Sequence, residues 1–322
     1  MLFTNFIPRQ KVMERIFVCL VILGLILSVV FRDKSIFYYV RGVSHYESGE
    51  YDEAILEFTD ALIINPEYTD AYIYRGCAYN LLGSHELAVS DFDKALKINP
   101  ESSEAYYNRG LAYSKIGEYD LAISDLTKAI EINPEYVNAY IIRGLAYYEV
   151  GEYDLAISDC TKTIEINPKD ANSYYNRGIY YYETGENDQA ISDFTIAVKI
   201  DQNNTNAYYN RGYTYYDKGE FNKAVSDFTM AIMINPKDTD ACINRGLSYS
   251  KRGEYDMAIL DFTKALEINP KDAFAYYNRG LTYGKKGEFD KARKDINEAK
   301  SLGYDVPSDI LKELQETSEK DE

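Results

Sequence analysis

Residues 103–136 read SEAYYNRGLAYSKIGEYDLAISDLTKAIEINPEY, and residues 137–170, VNAYIIRGLAYYEVGEYDLAISDCTKTIEINPKD, repeat the pattern in phase. The dipeptide Arg-Gly marks the register. It recurs eight times, always 34 residues apart, from Arg41-Gly42 to Arg279-Gly280. A fixed period of that length is the mark of a solenoid, in which each copy is one supersecondary unit stacked on the next. With position 1 at Ser35, the repeats span 35–68, 69–102, 103–136, 137–170, 171–204, 205–238, 239–272 and 273–304.

Positions 8 and 15 are Gly and position 20 is Ala in all eight repeats, and position 27 is Ala in seven, with Thr163 the exception. Positions 4, 8 and 11 share one helical face, and positions 20, 24 and 27 share another. The pattern predicts two helices per repeat. Gly at position 15 can take the left-handed conformation that ends the first. Asp or Asn at position 18 is expected to cap the second. Pro at position 32, present in six repeats, disfavours helix at the residue before it. The small residues at positions 8 and 20 stand where two helices must approach closely. One such hairpin cannot bury its own apolar face, so the copies must stack.

This pattern resembles the tetratricopeptide repeat (TPR) from about Ser35 to Tyr304. The departures are Tyr or Cys at position 4 in place of the family's usual Trp, and Arg at position 7 in place of Leu. The resemblance implies an all-α, right-handed superhelix of about one turn. It also implies a concave groove lined by the first helix of each repeat, and a role in protein–protein interaction.

Outside the repeats, Ile16–Phe31 reads IFVCLVILGLILSVVF. As a helix it would span about 24 Å at 1.5 Å per residue. Basic residues flank it and no Ala-x-Ala site follows, so the sequence predicts an uncleaved single-pass membrane anchor. Residues 1–15 form a basic N-terminal segment. The balance of flanking charge leans toward an extracytoplasmic array, while the free thiols lean toward a cytoplasmic one. Residues 307–318 read as a C-terminal cap helix with a stripe of Ile310, Leu311 and Leu314, and residues 319–322 as a disordered tail.

The net charge of −17 argues against nucleic acid as partner, because that binding needs clustered Lys and Arg. Cys19, Cys77, Cys160 and Cys242 are scattered and read as free thiols. His45 and His85 stand where other repeats have aromatic residues. No metal, cofactor or catalytic constellation stands apart from the period.

By resemblance, positions 2, 5, 6, 9, 12 and 13 face the groove. Position 6 carries Asn108, Asn176, Asn210, Asn244 and Asn278, a row similar to the asparagine ladder that holds peptide backbone in the TPR superhelix of an O-GlcNAc transferase. An amide offers both donor and acceptor to an extended chain; bonding to neighbouring repeats is the structural alternative. Tyr175 and Tyr209 stand at position 5, and Tyr148, Tyr182 and Tyr216 at position 12. Glu149, Glu183 and Asp217 follow at position 13, and together these predict a groove in repeats four to six suited to a peptide with basic residues. The Lys and Arg of the family's carboxylate clamp are missing, which argues against chaperone C-termini as ligands. Every repeat pairs Arg at position 7 with an acid at position 23, from Glu57 to Asp295, and a repeated structural ion pair is expected. The sequence thus predicts a membrane-anchored, non-catalytic scaffold or adaptor. A chaperone for unfolded clients and a regulatory subunit of an enzyme are the alternatives.

Overall fold

In a computed structural model, residues 34–308 and 310 are described. Helix α1 covers residues 34–47. It is followed by α2 (Tyr51–Ile64), α3 (Thr69–Leu81), α4 (His85–Ile98), α5 (Ser103–Lys115), α6 (Tyr119–Ile132), α7 (Val137–Glu149), α8 (Tyr153–Ile166), α9 (Ala171–Glu183), α10 (Asn187–Ile200), α11 (Thr205–Asp217), α12 (Phe221–Ile234), α13 (Thr239–Lys251), α14 (Tyr255–Ile268), α15 (Ala273–Lys286) and α16 (Phe289–Ser301). The architecture is an all-α solenoid of helix–turn–helix repeats, with no strand among the described residues. The chain forms two compact units, one ending at Glu152 and the other starting at Tyr153. Within the first unit α3 packs on α4 and α5 on α6, and within the second α9 to α16 pair in the same way. In each unit the odd-numbered helices also touch one another, α3 with α5 and α9 with α11.

Two glycine columns explain the shape of each hairpin. At position 15 the backbone is left-handed, with φ between 74° and 83° from Gly49 to Gly287, a conformation that side chains with a Cβ resist. At position 8 the need is space. A Cβ on Gly178 would lie 2.7 Å from the Phe194 ring, and one on Gly76 would lie 2.7 Å from Phe92. Such rings fill the centre of five hairpins, where Phe58, Phe92, Phe194, Phe228 and Phe262 are essentially sealed from solvent, and Leu126, Cys160 and Ile296 stand at the same position in the other three.

The inner face differs in register from the sequence expectation. The most deeply buried positions of the first helices are 3, 8 and 10, as in Ala105, Gly110 and Ala112 of α5 or Ala207, Gly212 and Thr214 of α11. The tyrosines at positions 4 and 11 are mostly half-buried at the edge of that seam. Small residues let the backbones close, and the large rings take the flanks. The caps differ as well. The second helices begin one residue before the expected Asp, and their N-cap, such as Glu118 or Glu186, makes no side-chain bond to the backbone of the first turn. Position 18 instead places Asp120 and Asp188 in the first turn, where a negative charge favours the helix dipole. Side-chain caps occur on first helices: Ser102, Asp170, Asn204, Asp238 and Asp272 accept from the opening turns of α5, α9, α11, α13 and α15.

The membrane assignment is corrected. No helix among the described residues is long and apolar enough to cross a membrane. The helices are too short, α2 and α10 having 14 residues each and both carrying charges. The run 16–31 on which the assignment rested lies outside the described residues, as do the segment 1–15, Cys19, most of the cap helix 307–318 and the tail 319–322. The described start of the C-terminal segment does pack: Val306 is buried with Ile296, and Ile310 rests against the same cluster. Cys77, Cys160 and Cys242 are free thiols, and burial pushes those of Cys77 and Cys160 up to about 12.

Candidate functional site

The Arg row at position 7 is held within the scaffold, with Arg41 at its start half exposed. In six repeats the guanidinium forks onto the carboxylate sixteen residues later. Arg177 donates from Nε to Asp193 Oδ2 at 2.7 Å and from Nη2 to Oδ1 at 2.9 Å, and Arg75, Arg109, Arg211, Arg245 and Arg279 repeat the geometry. The remaining nitrogen reaches back one repeat: Arg177 Nη1 donates to Thr161, Arg211 to Thr195, Arg245 to Thr229 and Arg279 to Thr263. The guanidinium also covers the position 4 ring, 5.8 Å from the Tyr174 centroid. Burial opposes the Arg211 charge, but hydrogen bonding to Asp227 and its charge hold the guanidinium above its ordinary range. Burial also raises the Asp227 carboxyl despite Arg211, so desolvation consumes much of what the pairing contributes. The threonine at position 25 is a partner that sequence reasoning missed, although its recurrence in six of the eight repeats was visible.

The Asn row at position 6 is uneven. Asn210 Nδ2 donates to the Tyr175 hydroxyl at 3.0 Å, and Asn244 Nδ2 donates to the Tyr209 hydroxyl at 2.9 Å and to the Asp240 carbonyl at 3.0 Å. Where the preceding repeat has Ile at position 5, the amide folds back on its own helix. Asn108 donates to the Glu104 carbonyl at 3.0 Å, and Asn278, only 9% exposed, donates to the Phe274 carbonyl at 2.8 Å. Asn176 is half-buried on α9. Much of the row is therefore engaged within the scaffold.

Asn210 does more than brace its neighbour. It lines a cavity of about 340 Å³ together with Ile179, Tyr182, Glu183, Phe194, Tyr209 and Tyr213. Helices α9 and α11, with Phe194 of α10 behind them, bring these residues together. The Tyr182 hydroxyl donates to Asp217 Oδ2 at 2.5 Å, and its ring meets Tyr213 edge to face at 6.0 Å. Tyr209 stacks on Tyr213 at 6.4 Å and meets the buried Phe228 edge-on. Burial, then the bond to Asp217, raises the Tyr182 phenol above its usual range. Burial, then the charges of Asp240 and Asp238, pushes Tyr209 up to about 12. Both phenols stay protonated at neutral pH, the Tyr182 proton being committed to Asp217. Of the expected residues, then, Tyr182, Glu183, Tyr209 and Asn210 meet at one cavity, with Tyr175 and Asp217 bonded to its walls.

The others lie elsewhere. Tyr216 packs edge-on against Phe221 of its own hairpin at 5.5 Å. Asn244 stands behind Tyr209, and Asn278 is in α15. Asn108, the half-buried Tyr148 and the exposed Glu149 belong to the first unit. Ile179 and Tyr213, both at position 9, were missed. Tyr213 was legible in principle, because that column otherwise holds only Val43, Cys77, Leu111, Leu145, Ile179, Leu247 and Leu281. The basic turns of the last repeats join ion pairs with their own neighbours: Arg252 with Glu254, and Lys286 with Asp256 at 2.7 Å and Glu288 at 2.5 Å.

Comparison with known proteins agrees with the repeat fold. Models described as tetratricopeptide repeat match residues 35–68, 103–136, 137–170, 160–192, 205–238, 239–272 and 262–294. A TPR repeat model matches 76–117 and 180–219. Among solved structures, MamA protein is 30% identical, with 53% of this chain and 93% of that one covered and a TM-score of 0.50. The C-terminal part of a TPR repeat-containing protein from Cytophaga hutchinsonii is 20% identical, covering 74% and 98%, with a TM-score of 0.66. YrrB, described as a TPR protein with an unusual peptide-binding site, is 24% identical over 57% and 95%, with a TM-score of 0.51. No curated protein matches the sequence.

Proposed function

We propose that this chain, which belongs to the tetratricopeptide repeat family, is a non-catalytic adaptor whose second unit holds an extended peptide of a protein partner across α9 and α11. The repeat fold supports the coarse reading, protein–protein interaction. The observation that carries the finer one is the cavity between Tyr182, Tyr209 and Tyr213, on the helix layer that the family uses for ligands. Tyrosine supplies large contact area at low entropic cost and is enriched at binding hot spots. The amide of Asn210, held by Tyr175, is fixed in place to meet a peptide backbone.

A photo-crosslinking residue at position 213 of the full chain tests this. Crosslinks from 213, with none from the exposed, outward Lys128 position, are expected. The reverse pattern would remove the groove from consideration. One dominant captured protein marks an adaptor or regulatory subunit, and many unrelated ones mark a chaperone.

A further inference from the structure

We infer that the cavity between α9 and α11 receives an arginine side chain of the partner; this rests on the reading that a peptide crosses those helices. Three observations converge on a guanidinium. First, the walls are ring surfaces. Tyr182, Tyr209, Tyr213 and Phe194 line the space, and Tyr182 and Tyr213 meet at a right-angled corner, with 74° between their planes. Aromatic faces attract cations, and arginine more often than lysine, because its flat and weakly hydrated group can also stack.

Second, donors around the cavity are partly spent within the scaffold, which leaves acceptor oxygens on residues of its lining. The Tyr182 proton goes to Asp217, so its oxygen is left to accept. Asn210 spends one Nδ2 hydrogen on Tyr175, and its Oδ1 is an acceptor. Glu183 adds a carboxylate at the exposed edge. A guanidinium is all donor and no acceptor, the complement of this set.

Third, the charge is one-sided. The lining holds a carboxylate and no Lys or Arg. The two arginines of these helices are turned into the scaffold, Arg177 onto Asp193 and Arg211 onto Asp227, while Lys218 is held by Asp188 and Glu220. Asp217, bonded to Tyr182, adds a second negative charge beside the cavity. At about 340 Å³ the space is at the small end of ligand pockets, suited to one side chain rather than a folded element.

The test selects peptides from a random twelve-residue display library on the full-length chain. Each selected peptide is then remade with every arginine replaced by citrulline, which keeps the shape and loses the charge, or by lysine. Affinities are read by fluorescence anisotropy at fixed salt. Selected peptides are expected to carry arginine, to weaken at least tenfold with citrulline, and to weaken severalfold with lysine. In Glu183→Gln and Tyr213→Ala the citrulline penalty should shrink to under threefold, while Tyr213→Phe should retain it. Circular dichroism melts confirm that each variant is folded. Peptides that bind the wild type but lose affinity with Tyr182→Ala, yet tolerate citrulline or prefer lysine, overturn the arginine assignment and leave the peptide groove standing. Peptides that bind Tyr182→Ala as well as wild type, or a selection that enriches nothing, overturn both.

Discussion

Two polar rows run side by side along the first helices, Asn at position 6 and Arg at position 7. The Arg row makes the same fork with the acid at position 23 in six repeats, and from repeat two to repeat eight its third nitrogen reaches back to position 25, a threonine everywhere except Asp93. The Asn row changes partner with its neighbour: a tyrosine hydroxyl at Asn210, a tyrosine hydroxyl and the helix's own carbonyl at Asn244, the helix's own carbonyl at Asn108 and Asn278. A row whose contacts hold almost unchanged from repeat to repeat is framework. Contacts that vary from repeat to repeat can make one stretch of groove differ from the next, and a single cavity can arise in an array of near-copies.

Breaking the invariant row should cost most. Arg177→Ala leaves Asp193, 5% exposed at its side chain, charged and unpaired, and removes the tie to Thr161. A loss of about 3 kcal/mol or more is expected in denaturant unfolding. Arg177→Leu with Asp193→Leu should recover part of it. An unchanged melt with lost binding would make Arg177 a ligand contact instead. Gly178→Ala follows at about 2 kcal/mol, since the new Cβ meets the Phe194 ring at 2.7 Å in a core with little room to yield. Next comes the groove. Tyr182→Ala with Glu183→Lys should leave helicity and melting near wild type while partner affinity falls by about 2 kcal/mol. Wild-type binding should then be the more salt-sensitive of the two. Equal affinities would place the site elsewhere. The variable row sets the smallest effect: Asn244→Ala is expected to cost about 1 kcal/mol, by loss of the bond to Tyr209. A cost as large as that of Arg177→Ala would erase the distinction between the rows.

The fold was legible because its signals are columns. Gly178, Gly185, Ala190 and Ala197 each belong to a vertical repeat, and the Arg–acid partnership followed from its recurrence alone. The seam was less legible. Positions 3, 8 and 10 and positions 4, 8 and 11 fall on overlapping arcs of one helix, and bulky tyrosines draw attention from the alanines that touch. Capping was misread because Asp is common both at an N-cap and in a first turn. The cavity was half legible. Tyr182, Glu183, Tyr209 and Asn210 came from family positions, but Tyr213 breaks its column, and a reading built on what repeats passes over what does not.

The backward reach of each arginine has a consequence for ancestry. Donor and acceptor lie in different copies at a constant offset, so the links are interchangeable. Excising residues 205–238 would bring Arg245 to Thr195 in place of Thr229, with the same chemistry on both sides of the join. Duplicating a copy would likewise create a matched pair at its seam. An array joined in this way can gain or lose whole members by unequal recombination without exposing a mismatched junction, whereas a deletion or insertion whose length is not a multiple of the repeat would orphan an arginine at once.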